Sequence, residues 1–206
     1  MKSTLIIFLD SEHLDQSLFM KSFAQKLGAF KHQRLILVHG DNSFSKQLVK
    51  NGMSEKDAIE RSIKEINLKL ISLFADSGIP AIGIHGYQRN IVMVEKNSIH
   101  IDGDYLNSLP SQAMIILSNL INSTSTNRHT TISSAELGFE LSSHFANVTC
   151  LCFAVSEKAT LSFKEFKPSE TDLLNLVPEE VLRAGKPYFL TTLSDFQGNI
   201  DSRVAI

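Results

Sequence analysis

Apolar residues along the chain fall into short continuous runs and longer helical stripes. The runs at 5–9, 35–38, 81–84, 114–117 and 149–153 have the length and composition of buried strands. Between the first two runs, an apolar residue recurs every three or four positions from Leu14 to Leu27, which predicts a helix ending at Gly28. A second stripe, 54–76, predicts a long helix capped by Ser54. Strands joined by helices of this length pair in parallel, through right-handed crossovers.

Two segments depart from this alternation. Residues 90–102 alternate apolar and polar positions on both sides of Lys96-Asn97, which predicts a hairpin inserted into the parallel order. Residues 121–133 are polar, and we expect a mobile loop of about 13 residues there, long enough to carry function. Ser133 or Ser134 is expected to cap a helix running to Phe145. Near the C terminus we expect an exposed strand at 160–166, a short helix capped by Ser169, a helix from Pro178 to Gly185 and a closing strand at 187–193.

These elements predict an α/β protein. The expected architecture is a three-layer αβα sandwich, with a mainly parallel sheet and one inserted β-hairpin. With 206 residues and 22.9 kDa, the chain is long enough for one sizeable core and short for two, so we expect residues 1–206 to form a single domain.

Charge and composition limit the classes of partner that we expect for this protein. A formal net charge of −2 and a pI near 6.4 give no general attraction to nucleic acid or to an anionic membrane. The apolar run after Lys2 is too short for a signal peptide, and no stretch of about 18 apolar residues occurs. We therefore expect a cytoplasmic protein without nucleic-acid or membrane partners. Cys150 and Cys152 are expected to be reduced core residues.

Polar residues gather where the predicted strands end. The second run ends in His39-Gly40-Asp41-Asn42, the third in His85-Gly86, and Asp10 follows the first. Ligands of α/β proteins commonly bind at this edge of the sheet. The two histidines could share a metal with Asp41, or bond to backbone groups; the glycines could admit a ligand, or only form turns. The carboxylates could hold a cation, or be solvated.

Motifs for other chemistries are missing from the sequence. There is no Gly-x-Ser-x-Gly elbow, no Cys-x-x-Cys, no His-Glu-x-x-His, no Gly-x-x-x-x-Gly-Lys-Ser/Thr and no Gly-x-Gly-x-x-Gly. These absences disfavour nucleophilic hydrolysis, zinc chemistry and dinucleotide binding.

The order of segments resembles the amino-acid kinase family, which includes acetylglutamate, carbamate and aspartate kinases. The signals are "LVHG" after the first crossover, a long helix, "GIPAIGIHG", a hairpin and a polar stretch opening a helix. The segment "LVPEEVLRAGKPYFLTTLSDFQGN" is most similar to the end of the aspartate kinase catalytic domain. The resemblance implies an αβα sandwich, transfer of the ATP γ-phosphate to a carboxylate-like acceptor, and a homodimer paired through a central helix. It places Arg89 near the acceptor's carboxylate, and Thr130 and Thr131 on the substrate side.

The phosphate-binding motifs of that family are degenerate here. Its first strand ends in Lys-x-Gly-Gly, where this chain has 8–12, "FLDSE"; its second glycine turn keeps Gly40 alone. Ser134 stands where the family's late helix has an organising Asp, and Glu179 where it has a late Lys. A carboxylate about 6 Å from a phosphate oxygen repels it by about 3 kcal/mol at an effective dielectric constant of roughly 20. Phosphoryl transfer needs positive groups instead.

The resulting hypothesis is a degenerate amino-acid-kinase-like protein that is non-catalytic or altered in its small-molecule binding, with no assigned catalytic or metal-binding residue. One alternative is a divergent ATP-dependent kinase of a carboxylate or amino-acid acceptor, and ATP and Mg are expected as cofactors only in that case. Another is a subunit that serves assembly alone. The residues predicted to bind a ligand are Asp10, His39, Gly40, Asp41, Asn42, His85, Gly86, Arg89, Thr130, Thr131 and Ser134.

Overall fold

A computed structural model describes residues 3–28, 33–96, 98–125, 128–154 and 175–196, together with the backbone of 204–205. The strand predicted at 160–166 and the helix cap predicted at Ser169 lie outside these ranges. Within them, no helix is both long enough and apolar enough to cross a membrane.

The described strands are β1 (Thr4–Leu9), β2 (Arg34–His39), β3 (Ala81–His85), β4 (Val92–Glu95), β5 (Ser98–Ile101), β6 (Met114–Ser118), β7 (Leu120–Ser123), β8 (Arg128–Thr131), β9 (Val148–Phe153), β10 (Phe189–Thr191) and β11 (Val204–Ala205). The described α-helices are α1 (Ser11–Asp15), α2 (Ser17–Leu27), α3 (Ser43–Lys50), α4 (Glu55–Asp76), α5 (Gly103–Ser108), α6 (Ser134–Ser142) and α7 (Glu179–Ala184).

The main sheet has the order β11-β10-β9-β1-β2-β6-β3 among the described strands. Six neighbouring strands are parallel, and β11 pairs antiparallel with β10 at the edge. All five predicted core strands lie in this sheet, so the prediction of a mainly parallel sheet is confirmed. The register places Leu9 beside His39 and His39 beside Ser118, which aligns the strand ends at one edge.

The sheet separates two apolar layers because successive side chains of a strand point to opposite faces. On one face, Leu5 and Ile7 pack with apolar residues of α2 and α4, including the fully buried Phe74. On the other face, Ile6 and Phe8 pack with α6 and α7. Helices therefore cover both faces, and the predicted αβα sandwich is confirmed.

The hairpin is confirmed as β4 and β5, which pair antiparallel from Val92–Ile101 to Glu95–Ser98. The sequence prediction inserted this hairpin into the main sheet, but in the structure the hairpin lies outside that sheet. Instead β4 pairs with β7, and a separate sheet forms in the order β5-β4-β7-β8.

The prediction of an unstructured loop at 121–133 is wrong, because β7 and β8 form an antiparallel pair there. Leu120 and Ile121 bury their side chains, whereas β8 leaves Arg128, Thr130 and Thr131 exposed. A strand that buries little of its own surface has a polar sequence, which explains why periodicity missed it.

Helix boundaries differ from the sequence predictions in three places. The stripe from Leu14 to Leu27 is broken at Gln16, and Asp10 caps the short first helix. Helix α3 was not predicted, since it buries only Ser45 and Leu48. Residues 103–108 form α5, where the sequence predicts only a short turn from Tyr105 to Leu109. Ser54 and Ser133 cap α4 and α6 as predicted, through Asp57 N and Glu136 N. Both cysteines are free and buried.

Candidate functional site

A crevice of about 720 Å³ opens at the carboxyl edge of the main sheet, between the turn after β2, the residue after β6 and helices α6 and α7. We call this space the crevice. Its polar wall includes Asp41, Asn119, Ser133, Glu136 and Glu180, and Ile132, Phe139 and Ala184 supply apolar surface.

Gly40 allows the polar groups of this edge to approach one another. A Cβ at Gly40 would lie 3.1 Å from Asn119 Nδ2 and 3.2 Å from Ser134 Oγ. Ser134 is buried at the first turn of α6, while its neighbour Ser133 caps that helix. Of the predicted site residues, Asp41 and Thr131 line the crevice, and Gly40 and Ser134 approach Asn119 of its wall.

His39 is fully buried and acts as a structural group. Its Nδ1 lies 2.9 Å from the Gly40 carbonyl, which can only accept, so Nδ1 carries the proton. Its Nε2 accepts a hydrogen bond of 3.0 Å from Asn67 Nδ2. Burial, with a smaller effect of nearby His85, lowers the pKa of His39 to about 4 despite the bond to Gly40. With both ring nitrogens engaged, His39 has no lone pair left for a metal.

The metal site considered from the sequence finds no support in the geometry. Within the described ranges, no three His, Cys, Asp or Glu side chains lie close enough together to hold a metal ion.

Asp10 is held by contacts within the fold. It caps α1 by accepting from His13 N, and its Oδ1 lies 2.7 Å from His13 Nδ1. His13 is buried, and its Nε2 donates to the Ala154 carbonyl at 3.1 Å. Burial acts to raise the pKa of Asp10, but the hydrogen bonds and charge of His13 outweigh it and leave the pKa below its usual value. Asp10 and His13 therefore occupy the end of β1 as a bonded pair.

Asp41 and Asn42 have different surroundings although they are adjacent. Asp41 lines the crevice, and its Oδ2 accepts from Ser45 Oγ at 2.6 Å. Asn42 caps α3 and also accepts from Ser62 Oγ of α4. Asn42 thus ties two helices together beside the crevice.

A second pocket, of about 470 Å³, lies between the first turns of α4 and strand β8. Thr130 and Thr131 line this pocket, and Thr131 also reaches the crevice. Beside it, the rings of His85, Tyr87 and His129 stack, with centroid distances of 5.6 and 3.9 Å. We call these three residues the aromatic stack.

Charged residues of α4 surround the aromatic stack. Lys64 lies 2.6 Å from Glu60 and 5.4 Å from the centre of the Tyr87 ring, and His129 Nδ1 lies 3.3 Å from Glu60. Burial would raise the pKa of Glu60, but bonds to Lys64 and His129 lower it overall. Burial and the charge of Lys64 lower the pKa of His85, whose Nδ1 lies 2.9 Å from Ser118 Oγ.

Gly86 and Arg89 complete the predicted set. A Cβ at Gly86 would lie 2.8 Å from Ile121 Cγ2, so this glycine lets β7 pack against the turn after β3. Arg89 has a φ of 54° and places its guanidinium 5.1 Å from the centre of the Tyr105 ring. It lines neither the crevice nor the second pocket.

Asn119, Glu136 and Glu180 are among the crevice residues that were not predicted from the sequence. Asn119 follows a buried run as His39 does, so the strand-end argument could have found it. Glu136 and Glu180 lie on exposed helix positions, and only the packing of α7 against α6 brings them to one space. Nothing in their local sequence marks them.

The nucleotide that the family resemblance implies does not fit the residues present. Phe8, at the position of the family's Lys, is 4% exposed, and a Cβ at Gly138 would come 1.9 Å from its ring. Among the described crevice residues, the cations Arg183 and Lys186 are already paired with Glu179 and Glu140. The phosphates of ATP would face more carboxylates than cations among the described crevice residues.

The chain has an amino-acid-kinase-like fold, shown by comparison with solved structures. Aspartate kinase from Synechocystis gives a TM-score of 0.66 at 12% identity, over 96% of this chain and 39% of that chain. N-acetylglutamate synthase from Neisseria gonorrhoeae gives 0.63 at 13% identity, over 93% of this chain and 55% of that chain. Isopentenyl phosphate kinase from T. acidophilum gives a TM-score of 0.58 at 10% identity, over 95% of this chain and 93% of that chain.

This chain therefore spans about half of that synthase, about two fifths of that aspartate kinase and nearly all of that isopentenyl phosphate kinase. No protein-family model matches the sequence. No curated protein matches it either.

Proposed function

We propose that this protein binds a small molecule in the crevice and does not transfer the γ-phosphate of ATP. The observation that carries the proposal is the position of Phe8. At the end of β1, where the resemblance expects a cation, an aromatic ring is packed into the core against α6.

The surroundings of Phe8 leave no room for a different role of this side chain. Its ring meets Phe139 edge to face at 5.0 Å, and its neighbour Ile6 on the same face is fully buried. A missing charge-stabilising group costs on the order of a hundredfold or more in rate. The bonded pair of Asp10 and His13 then takes the place of the glycine turn that would donate backbone amides to phosphate.

The shape of the site still favours binding. The crevice has the size of common small-molecule sites, and it combines three apolar residues with several polar groups. The proteins of similar fold are named as kinases and as a synthase, which supports a ligand at the sheet edge. Their own substrates are not assigned to this chain.

A thermal-shift screen of nucleotides, amino acids and divalent ions tests binding, because a ligand at 100 times its Kd adds about 2.7 kcal/mol to the free energy of unfolding. An assay for ADP release from ATP-Mg, with carboxylate acceptors supplied, tests transfer. We expect no ADP release above the background of a chain-free control. Calorimetry should show weak ATP binding that tightens in Asp41→Asn and is unchanged in Glu95→Gln, an exposed carboxylate outside the crevice.

The opposite result would identify a divergent kinase. It would consist of ADP release that depends on an acceptor, with micromolar ATP affinity that is lost in Asp41→Asn. That loss would mean that the carboxylate supports a bound metal nucleotide instead of repelling phosphate.

A further inference from the structure

We infer that the crevice recognises its ligand through an organic ammonium group rather than through a phosphate or a carboxylate. This inference rests on the proposed function, since it names the class of molecule that the crevice binds.

The charges of the crevice are unbalanced among the described residues. Asp41, Glu136 and Glu180 line it without a cationic partner: Asp41 accepts from Ser45, and Glu180 from Ser133. The two cations of its lining are each engaged by a carboxylate outside this group of three. The field of these carboxylates attracts a cationic ligand into the crevice and repels an anionic one.

A buried acceptor in the crevice wall gives an independent indication. Asn119 is 8% exposed, and its Nδ2 donates to the Ile132 carbonyl at 2.5 Å, which fixes the orientation of the amide. Its Oδ1 is then the remaining amide atom, and within the described ranges no group donates to it. Buried polar atoms are seldom left without a partner. An ammonium group carries up to three N–H donors and no acceptor, so it suits an unpaired amide oxygen as well as a carboxylate.

The positive charges that oppose a cation in the crevice are smaller than the charge of its carboxylates. The N terminus of α6 carries a partial positive charge of roughly half a unit, which disfavours a cation. Glu136 in the first turn, and Glu180 bonded to the capping Ser133, counter that charge. A metal ion would fit less well than an ammonium group, because no metal-binding cluster occurs among the described residues.

The test is calorimetry on the full chain with three probes of equal length: 1,5-diaminopentane, 5-aminopentanoate and glutarate. Their methylene groups match the apolar wall of Phe139 and Ala184, and they differ in the charge of their ends. We expect the diamine to bind most tightly and glutarate least. Raising the salt concentration from about 50 to about 500 mM should weaken the binding of the diamine and leave the order of the three affinities unchanged.

Substitutions of crevice residues test whether the diamine binds in the crevice. Glu136→Gln and Glu180→Gln lie on exposed positions and should leave the fold intact, while each weakens the diamine about fivefold. Asn119→Ala should weaken it further, and the two glutamate variants remain decisive if this buried change prevents folding. Glu95→Gln is the matched control, with the same loss of charge outside the crevice, and should bind as the unaltered chain does.

The outcomes separate this inference from the proposed function. Tighter binding of glutarate or 5-aminopentanoate, or diamine binding unaffected by both glutamate variants, would overturn the ammonium inference while a crevice ligand could stand. Failure of all three probes at millimolar concentration would overturn it as well. Acceptor-dependent ADP release from ATP would instead overturn the proposed function, whatever the probes do.

Discussion

The ring of Phe8 lies against the backbone of Gly138. A Cβ built at Gly138 would come 1.9 Å from Cε1 and 2.6 Å from Cδ1 of that ring, far inside van der Waals contact. Helix α6 therefore sits close to strand β1 because one residue supplies a large ring and the other supplies no side chain. The two positions form one packing unit where the family resemblance expects phosphate chemistry.

We expect Gly138→Ala to destabilise the protein by about 1–2 kcal/mol. Alanine gains about 1 kcal/mol of helix propensity over glycine, but overpacking a core costs typically 1–3 kcal/mol, and a ring this buried has little room to move. Urea denaturation measures the change.

The matched control for this prediction is Gly28→Ala. A Cβ there would meet only the Gln25 carbonyl, at 3.4 Å, so we expect a change within about 0.5 kcal/mol. Combining Gly138→Ala with Phe8→Leu should cost at least about 1 kcal/mol less than the sum of the single changes, because the smaller side chain relieves the clash. Strict additivity of the two would contradict the packing unit.

The strands of the main sheet were predictable because a buried parallel strand appears in the sequence as a continuous apolar run. The runs that become β1, β2 and β6 are apolar on both faces, since helices cover both sides of the sheet. Strand β8 carried no such signal, as three of its four residues are exposed. Pairing with β7, and not its own composition, makes it a strand.

The crevice was predictable only in part, for a related reason. Turn residues such as Gly40 and Asp41 follow a strand, so topology brings them to one edge. The sequence did not distinguish His39, whose imidazole turns inward to Asn67, from a ligand-binding group. That difference depends on which groups of α4 pack behind the strand. Glu180 likewise joins the crevice through the contact of α7 with α6, across more than 40 residues of chain.

The aromatic stack should hold the small sheet against α4. The Tyr87 ring stacks with His85 and His129 and lies under the Lys64 ammonium, so it links the end of β3, strand β8 and helix α4. We expect Tyr87→Leu to cost about 1–2 kcal/mol and to lower the hydrogen-exchange protection of β7 and β8. Tyr87→Phe is the control, because it keeps the ring, and should cost less than half as much. Equal losses in both variants would assign the effect to the hydroxyl group.

Self-association through α4 stays a prediction. Leu68 is 66% exposed on this helix, so its side chain is accessible to a second copy of the chain in a twofold interface. We expect a homodimer by light scattering at tens of micromolar chain, and at least about tenfold weaker association in Leu68→Glu. Leu18→Glu changes an even more exposed leucine on α2 and should have no effect. A monomer at these concentrations would count against the interface.

Acid should destabilise the protein through His39. Its folded-state pKa is about 4, against 6.5 for the free side chain, so the unfolded chain binds the extra proton between these values. The contribution of His39 is therefore complete above about pH 7 and decreases as the pH falls toward 4, by about 2 kcal/mol at pH 5. Burial also lowers the pKa of His85, which adds a smaller effect of the same sign. Urea denaturation at pH 7 and pH 5 measures the sum. His39→Gln should be less stable at pH 7 but lose less between the two pH values, whereas His100→Gln, at an exposed position, should lose as much as the unaltered chain. An unchanged loss in His39→Gln would show that another group governs the acid response.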